Sequence, residues 1–113
     1  MPLQHYFWGQ HCEGRTLLDE AALSIKQETM PPGTAEQLHY HAKAQQFFFI
    51  LNGVARFDID GDSCLVNATE GIQIKAGQIH RIVNAGETPL DFLLASQPSV
   101  VNDRHLMDVD TNS

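Results

Sequence analysis

The chain has 113 residues, 42% of them hydrophobic and 19% charged, which is enough for one domain with a single apolar core and too little for two ordinary ones. A net charge of −7 and a pI near 5.1 leave no basic patch to neutralise phosphates, which argues against nucleic acid or an anionic membrane as a partner. The opening MPLQHYFWGQ lacks a charged and apolar leader pattern, and no run reaches the roughly 18 apolar residues of a bilayer span, so a cytoplasmic location is expected.

Along the chain, the first feature is HYFWG, three aromatics ahead of any clear strand. Such a segment must cover something, either one end of the fold or a second subunit. Cys12 and Cys64 are too few and too far apart for a disulfide framework or a metal knuckle, and are expected to be reduced and packed. Cys12 opens CEGR, which carries no chemistry legible from its residue types.

No window of a dozen residues holds a helical apolar period, whereas short alternating runs recur between turn residues. Strands are expected over residues 22–30, 37–42, 46–52, 54–60, 63–67, 71–75, 79–84 and 90–96. The separators PPGT, NG, DGD, KAGQ and NAGETP are turn chemistry, and Asn52-Gly53 in particular signals a tight hairpin. Eight short strands at this spacing predict an all-β sandwich or barrel. The barrel core is expected to occupy about residues 20–96 of a single domain spanning 1–113, with 97–113 a polar tail frayed at its end.

In QQFFFILN, Phe47, Phe49 and Leu51 are as apolar as Phe48 and Ile50 on the opposite face. Both faces of that strand are therefore expected to be covered, the outer one by a second subunit in a homodimer or by the terminal segments of the same chain.

His39 and His41 stand at i and i+2, so on a strand both imidazoles leave from one face and form half of a metal site. His80 begins another strand beyond a glycine turn. Three buried imidazoles each need both nitrogens satisfied, and one shared ion satisfies all three. Among other ionisable residues, Glu28 reads as a solvated edge carboxylate, Asp91 as a residue beside a turn, Tyr40 as packing, and His5, His11 and His105 as surface or interface residues.

GTAEQLHYHAKAQQFFFILNG resembles the first cupin motif, with Gly33, His39, His41 and Gly53 in register and Gln46 at the position usually held by an acid. TEGIQIKAGQIHRIVN resembles the second, with Gly77, His80 and Asn84 in register, while Thr69 and Lys75 replace the usual glycine and proline. The resemblance implies a cupin double-stranded β-helix, a jelly-roll-like barrel of two antiparallel sheets. It further implies one divalent transition metal, Fe, Ni, Mn or Zn, held by His39, His41, Gln46 and His80. Gln45 is the competing amide, but spacing and parity with Phe48 and Ile50 favour Gln46. An amide brings no charge, so the ion keeps its full charge, polarises a bound oxygen more strongly and binds less tightly.

The expected activity is Lewis-acid isomerisation or ring opening of a small oxygenated metabolite such as a sugar acid, or metal-dependent dioxygenation. The pocket is expected to be lined by Phe48, Phe57, Ile82 and Phe92, with no catalytic side chain assigned. The alternative is a non-catalytic module that binds a small-molecule ligand or uses the metal structurally.

Overall fold

The computed structural model describes residues 4–107, which form eleven strands and, among the described residues, no helix. They are β1 (Gln4–Trp8), β2 (Cys12–Asp19), β3 (Ser24–Met30), β4 (His39–Tyr40), β5 (Gln45–Asn52), β6 (Val54–Ile59), β7 (Asp62–Asn67), β8 (Gly71–Ile74), β9 (His80–Asn84), β10 (Leu90–Gln97) and β11 (His105–Leu106). Two antiparallel sheets face each other, one in the order β1-β2-β3-β10-β5-β8 and the other β11-β4-β9-β6-β7. This is the all-β, two-sheet architecture that the alternation and the motifs anticipate.

Alternation builds the core. On β5, Gln46, Phe48 and Ile50 point inward, and on β10 Leu90, Phe92, Leu94 and Ser96 do the same. Phe48 packs edge-on against Phe57 of β6 with ring centroids 4.9 Å apart and against Phe92 at 5.6 Å. Asn84 closes the far end of β9. Its Nδ2 donates to the carbonyls of Met30 and Thr88, both at 2.9 Å, and its Oδ1 accepts from the Gly86 N–H at 3.0 Å. A buried amide with this many partners welds β9 to β3 and to the loop before β10.

Several expectations require correction. Asn52-Gly53 is not a hairpin, because β5 and β6 belong to different sheets. The chain crosses the barrel there, with Gly53 at φ +91° and no room for a side chain: a Cβ would fall 2.9 Å from the Pro89 carbonyl oxygen. The two-residue hairpin is Asp60-Gly61, both at positive φ (48° and 91°), joining β6 to β7. The strand expected over 37–42 contracts to His39–Tyr40, and β1 and β2 are a hairpin that extends the first sheet. Residues 98–107 are not a loose tail, since β11 pairs with β4 through His105↔Tyr40 and Leu106↔His39. Residues 108–113, where a frayed end is expected, lie outside the described residues.

Cys12 is buried, but Cys64 is exposed rather than packed. Phe47, on the outer face of β5, stays 47% exposed in the single chain, while Phe49 and Leu51 are half-buried. The outer face is therefore only partly covered by the chain itself.

Candidate metal centre

Pairing of β4 with β9 sets His39 directly opposite His80. Their ring centroids lie 4.3 Å apart, and His41, just after β4, brings its ring to 5.0 Å from His39 and 5.6 Å from His80. One ring nitrogen from each falls within 4.8 Å of the others, and all three residues are buried.

Each Nδ1 is tied to a main-chain carbonyl. His39 Nδ1 donates to Gln37 O at 2.8 Å, His41 Nδ1 to Asp103 O at 2.8 Å, and His80 Nδ1 to Gln78 O at 2.9 Å. A carbonyl only accepts, so the proton sits on Nδ1 in all three rings and each Nε2 presents a lone pair. Burial pushes His39 down to about 3, with the Gln37 carbonyl opposing and His80 adding to the fall. Burial likewise lowers His41 and His80. All three are thus neutral near pH 7, the form that binds a metal.

Gln46 stands beside the three histidines. It lies opposite Ser96 in the β5–β10 ladder, and its Nε2 donates to Ser96 Oγ at 3.0 Å. That bond turns Oε1 toward the histidines, 3.3 Å from His80 Nε2. With His80 protonated on Nδ1, two lone pairs face each other across this distance, an arrangement a cation between them relieves. His41 Nε2 is a buried nitrogen with no hydrogen-bond partner. The orphaned lone pair and the facing pair of acceptors fit a divalent metal held by three imidazoles and one amide. Gln45 points away and bonds Gln97 and Gln73 on the exposed face.

A cavity of about 830 Å³ opens over this cluster, and His39, His41 and Gln46 line it together with Tyr6, Trp8, Lys26, Glu28, Glu36, Arg81 and Arg104. Phe48, Phe57, Ile82 and Phe92 do not line it; they are buried in the hydrophobic core. Alternation places them on the inward face correctly but says nothing of depth. Phe48 stands two residues, and Ile50 and Phe92 a further ladder step, beyond the Gln46–Ser96 pair.

The polar wall comes from residues without a motif. Glu28 is buried, not a solvated edge carboxylate, and its Oε2 accepts from the Tyr6 O–H at 2.5 Å. Tyr6 on β1 reaches it across Gly14 of β2, the three residues standing in register. Burial raises Glu28, with the Tyr6 hydroxyl, Lys26 and Arg104 restraining the rise. Burial and the Glu28 charge raise the Tyr6 hydroxyl in turn. Glu36, beside His39, is pushed up to about 8 by burial and by Glu28, against Arg104 and the Ile82 N–H. Parity with Met30 is the sequence signal that turns Glu28 inward.

Asp91 bonds Thr29 at 2.5 Å, and Tyr40 stacks on His105 at 4.8 Å. His5 pairs with Glu13 at 3.0 Å on the surface. None of these lines the cavity.

Residues 26–96 match the family model for the cupin domain. The mannose-1-phosphate guanylyltransferase of Escherichia coli (strain K12) is 32% identical over 69 residues, 61% of this chain and 14% of that enzyme, so the chain spans only a small part of its length. The oxalate-binding protein of Thermotoga maritima is 28% identical over 83 residues, 74% of this chain and 69% of that protein. Among solved structures, KdgF from Halomonas sp. shares the fold with a TM-score of 0.80 at 11% identity, over 88% of this chain and 91% of that one.

Proposed function

The chain belongs to the cupin domain family, and we propose that it is a metal-dependent member that isomerises or ring-opens a small oxygenated metabolite of the sugar-acid class. The observation that carries this reading is the convergence of three buried imidazoles and the Gln46 amide oxygen, with His39, His41 and Gln46 on the wall of a cavity that also holds ionisable side chains. His39, His41, His80 and Gln46 would hold one divalent ion of the Fe, Ni, Mn or Zn class. When bound, the ion supplies Lewis acidity toward a ligand oxygen.

The other residues of the cavity define the rest of the reaction. Lys26 and Arg104 give the wall positive charge suited to a carboxylate, and the name of the oxalate-binding relative is consistent with a small acid as ligand. Glu28 is the group that accepts a proton at its carboxylate, and Tyr6, hydrogen-bonded to it, holds and returns one at its hydroxyl. Trp8, Leu94 and Met107 line the same space and exclude water. A proton-handling pair favours isomerisation or ring opening over dioxygenation, which does not call for one.

The test is metal content by mass spectrometry on untagged protein purified without chelator, beside a His39→Ala/His80→Ala variant, followed by NMR of uronic and aldonic acids incubated with the loaded protein. Near one equivalent of metal in the parent, almost none in the variant, and conversion of an acid without added oxidant are expected. No metal in the parent after reconstitution with Fe(II), Ni, Mn and Zn overturns the metal reading. Metal binding without turnover leaves a ligand-binding module instead. The same reading includes a homodimer through the outer face of β5 around Phe47, Phe49 and Leu51, for which sedimentation velocity should give twice the chain mass.

A further inference from the structure

Asp103 lies outside the residues that match the cupin model, on a turn that the sequence offers no reason to connect with the histidines. It is nevertheless buried, and its carboxylate accepts three consecutive main-chain N–H groups. Oδ1 takes that of Ala42 at 2.9 Å, and Oδ2 those of Lys43 and Ala44, both at 3.0 Å. Its own main-chain oxygen takes the His41 Nδ1–H at 2.8 Å. From the other side, the Gly77 N–H donates to the His41 carbonyl at 2.7 Å.

We infer that Asp103 is a positioning residue of the metal centre: by gathering the 42–44 amides it holds the turn after His41 against the C-terminal segment and keeps the His41 ring aimed at His39 and His80. The inference rests on the metal reading above for its consequence and on hydrogen bonding alone for its mechanism. Three successive N–H groups aimed at one point form a cradle for negative charge, and buried donors left without an acceptor are unfavourable, so the turn keeps this shape only while the carboxylate is there. β11 and the Met107 N–H bond to Leu38 O, 2.9 Å, hold the segment alongside β4, so Asp103 is itself fixed. The site therefore has a further component beyond the motif-bearing strands β4, β5 and β9.

The test compares Asp103→Ala, Asp103→Asn and, as a control on the same turn, Val101→Ser, at a side chain 72% exposed. Two readouts are used: the ring tautomers of all three histidines by ¹⁵N NMR on metal-free protein, and zinc affinity by competition with a chromophoric chelator. In Asp103→Ala, His41 should lose its single Nδ1–H tautomer while His39 and His80 keep theirs, and zinc affinity should fall by about 10- to 100-fold, the usual range for a group supporting a ligand. Asp103→Asn keeps one acceptor oxygen and should fall less, and Val101→Ser should match the parent. An unchanged His41 tautomer with zinc affinity within twofold of the parent, in a folded variant, overturns the inference. So does a change shared by all three rings, which would signal general loosening. If the parent binds none of zinc, Fe(II), Ni or Mn, the metal reading fails, and the tautomer measurement alone decides the role of Asp103.

Discussion

Tyr6 reaches Glu28 only because the residue between them has no side chain. A Cβ on Gly14 would fall within the Tyr6 ring, although the Gly14 backbone lies outside the left-handed region and would accept alanine. Gly14→Ala should therefore displace the ring and break the 2.5 Å bond to Glu28. Loss of a hydrogen bond to a buried carboxylate costs about 1.5–3 kcal/mol, and forcing the ring out of its packing costs roughly 1–3 kcal/mol more. Together they predict a loss on the order of 3–5 kcal/mol in urea unfolding at pH 7. In a Tyr6→Ala background the ring atoms nearest that Cβ are gone, and replacing a strand glycine should then be neutral or stabilising by about 0.5–1 kcal/mol. The two single changes should thus be strongly non-additive, far beyond the roughly 0.5 kcal/mol of independent sites. Tyr6→Phe, which keeps the ring and removes the hydroxyl, isolates the hydrogen bond. Equal losses from Gly14→Ala in both backgrounds would refute the argument that this glycine exists to let Tyr6 across.

Ser96→Ala removes the acceptor that orients the Gln46 amide, so zinc affinity should drop by about 10- to 100-fold, with about 1–3 kcal/mol lost in unfolding free energy from the unpaired buried donor; unchanged affinity would mean the amide orients itself. The pH dependence of metal-free protein has two limbs of opposite sign. Glu36 has a folded value of about 8, above its ordinary 4.5, so the folded state keeps a proton the unfolded chain releases, and stability declines as pH rises from 4.5 through 8. His39, at about 3 in the folded state against 6.5, works the other way, and stability rises as pH climbs from 3 to 6.5. Glu36→Gln should make the alkaline decline shallower, Glu28 still contributing, and leave the acid limb intact; thermal unfolding from pH 3 to 9 reads both. An unaltered decline above pH 6.5 would show that Glu36 is ionised in the fold.

The three-histidine cluster was legible because alternation and glycine-bounded spacing are local properties. His39 and His41 share a face by parity alone, and His80 follows a turn that fixes its place on β9. Other parts depended on relations that leave no local mark. β2 shows no clean alternation because its register to β3 shifts between Thr16 and Leu18, so consecutive leucines interrupt the pattern. Asn52-Gly53 carries a strong hairpin signal, but the pairing of β5 with β8 and β10 prevails and sends the chain across the barrel. Phe48, Phe57, Ile82 and Phe92 were assignable to the interior but not to a depth within it. Asp103 binds main-chain N–H groups, which every residue but proline has, so nothing in the identity of Ala42, Lys43 or Ala44 announces it.

The orientation of all three imidazoles by main-chain carbonyls has a consequence for how this sequence can change over time. The acceptors at Gln37 and Gln78 are peptide oxygens, present whatever amino acid occupies those positions, including proline. A centre whose outer contacts were carboxylate side chains would lose an imidazole's orientation with one nucleotide change. Here the acceptor at 37 survives a change of side chain, whereas Gln78 also ties its turn together by accepting the Lys75 N–H and donating its own N–H to the Lys75 carbonyl; the side chains that face the cavity from nearby positions are free to diversify. The histidine cluster can then persist while the cavity around it changes, because the bonds that aim the rings are carried by the main chain rather than by the residues that line the cavity.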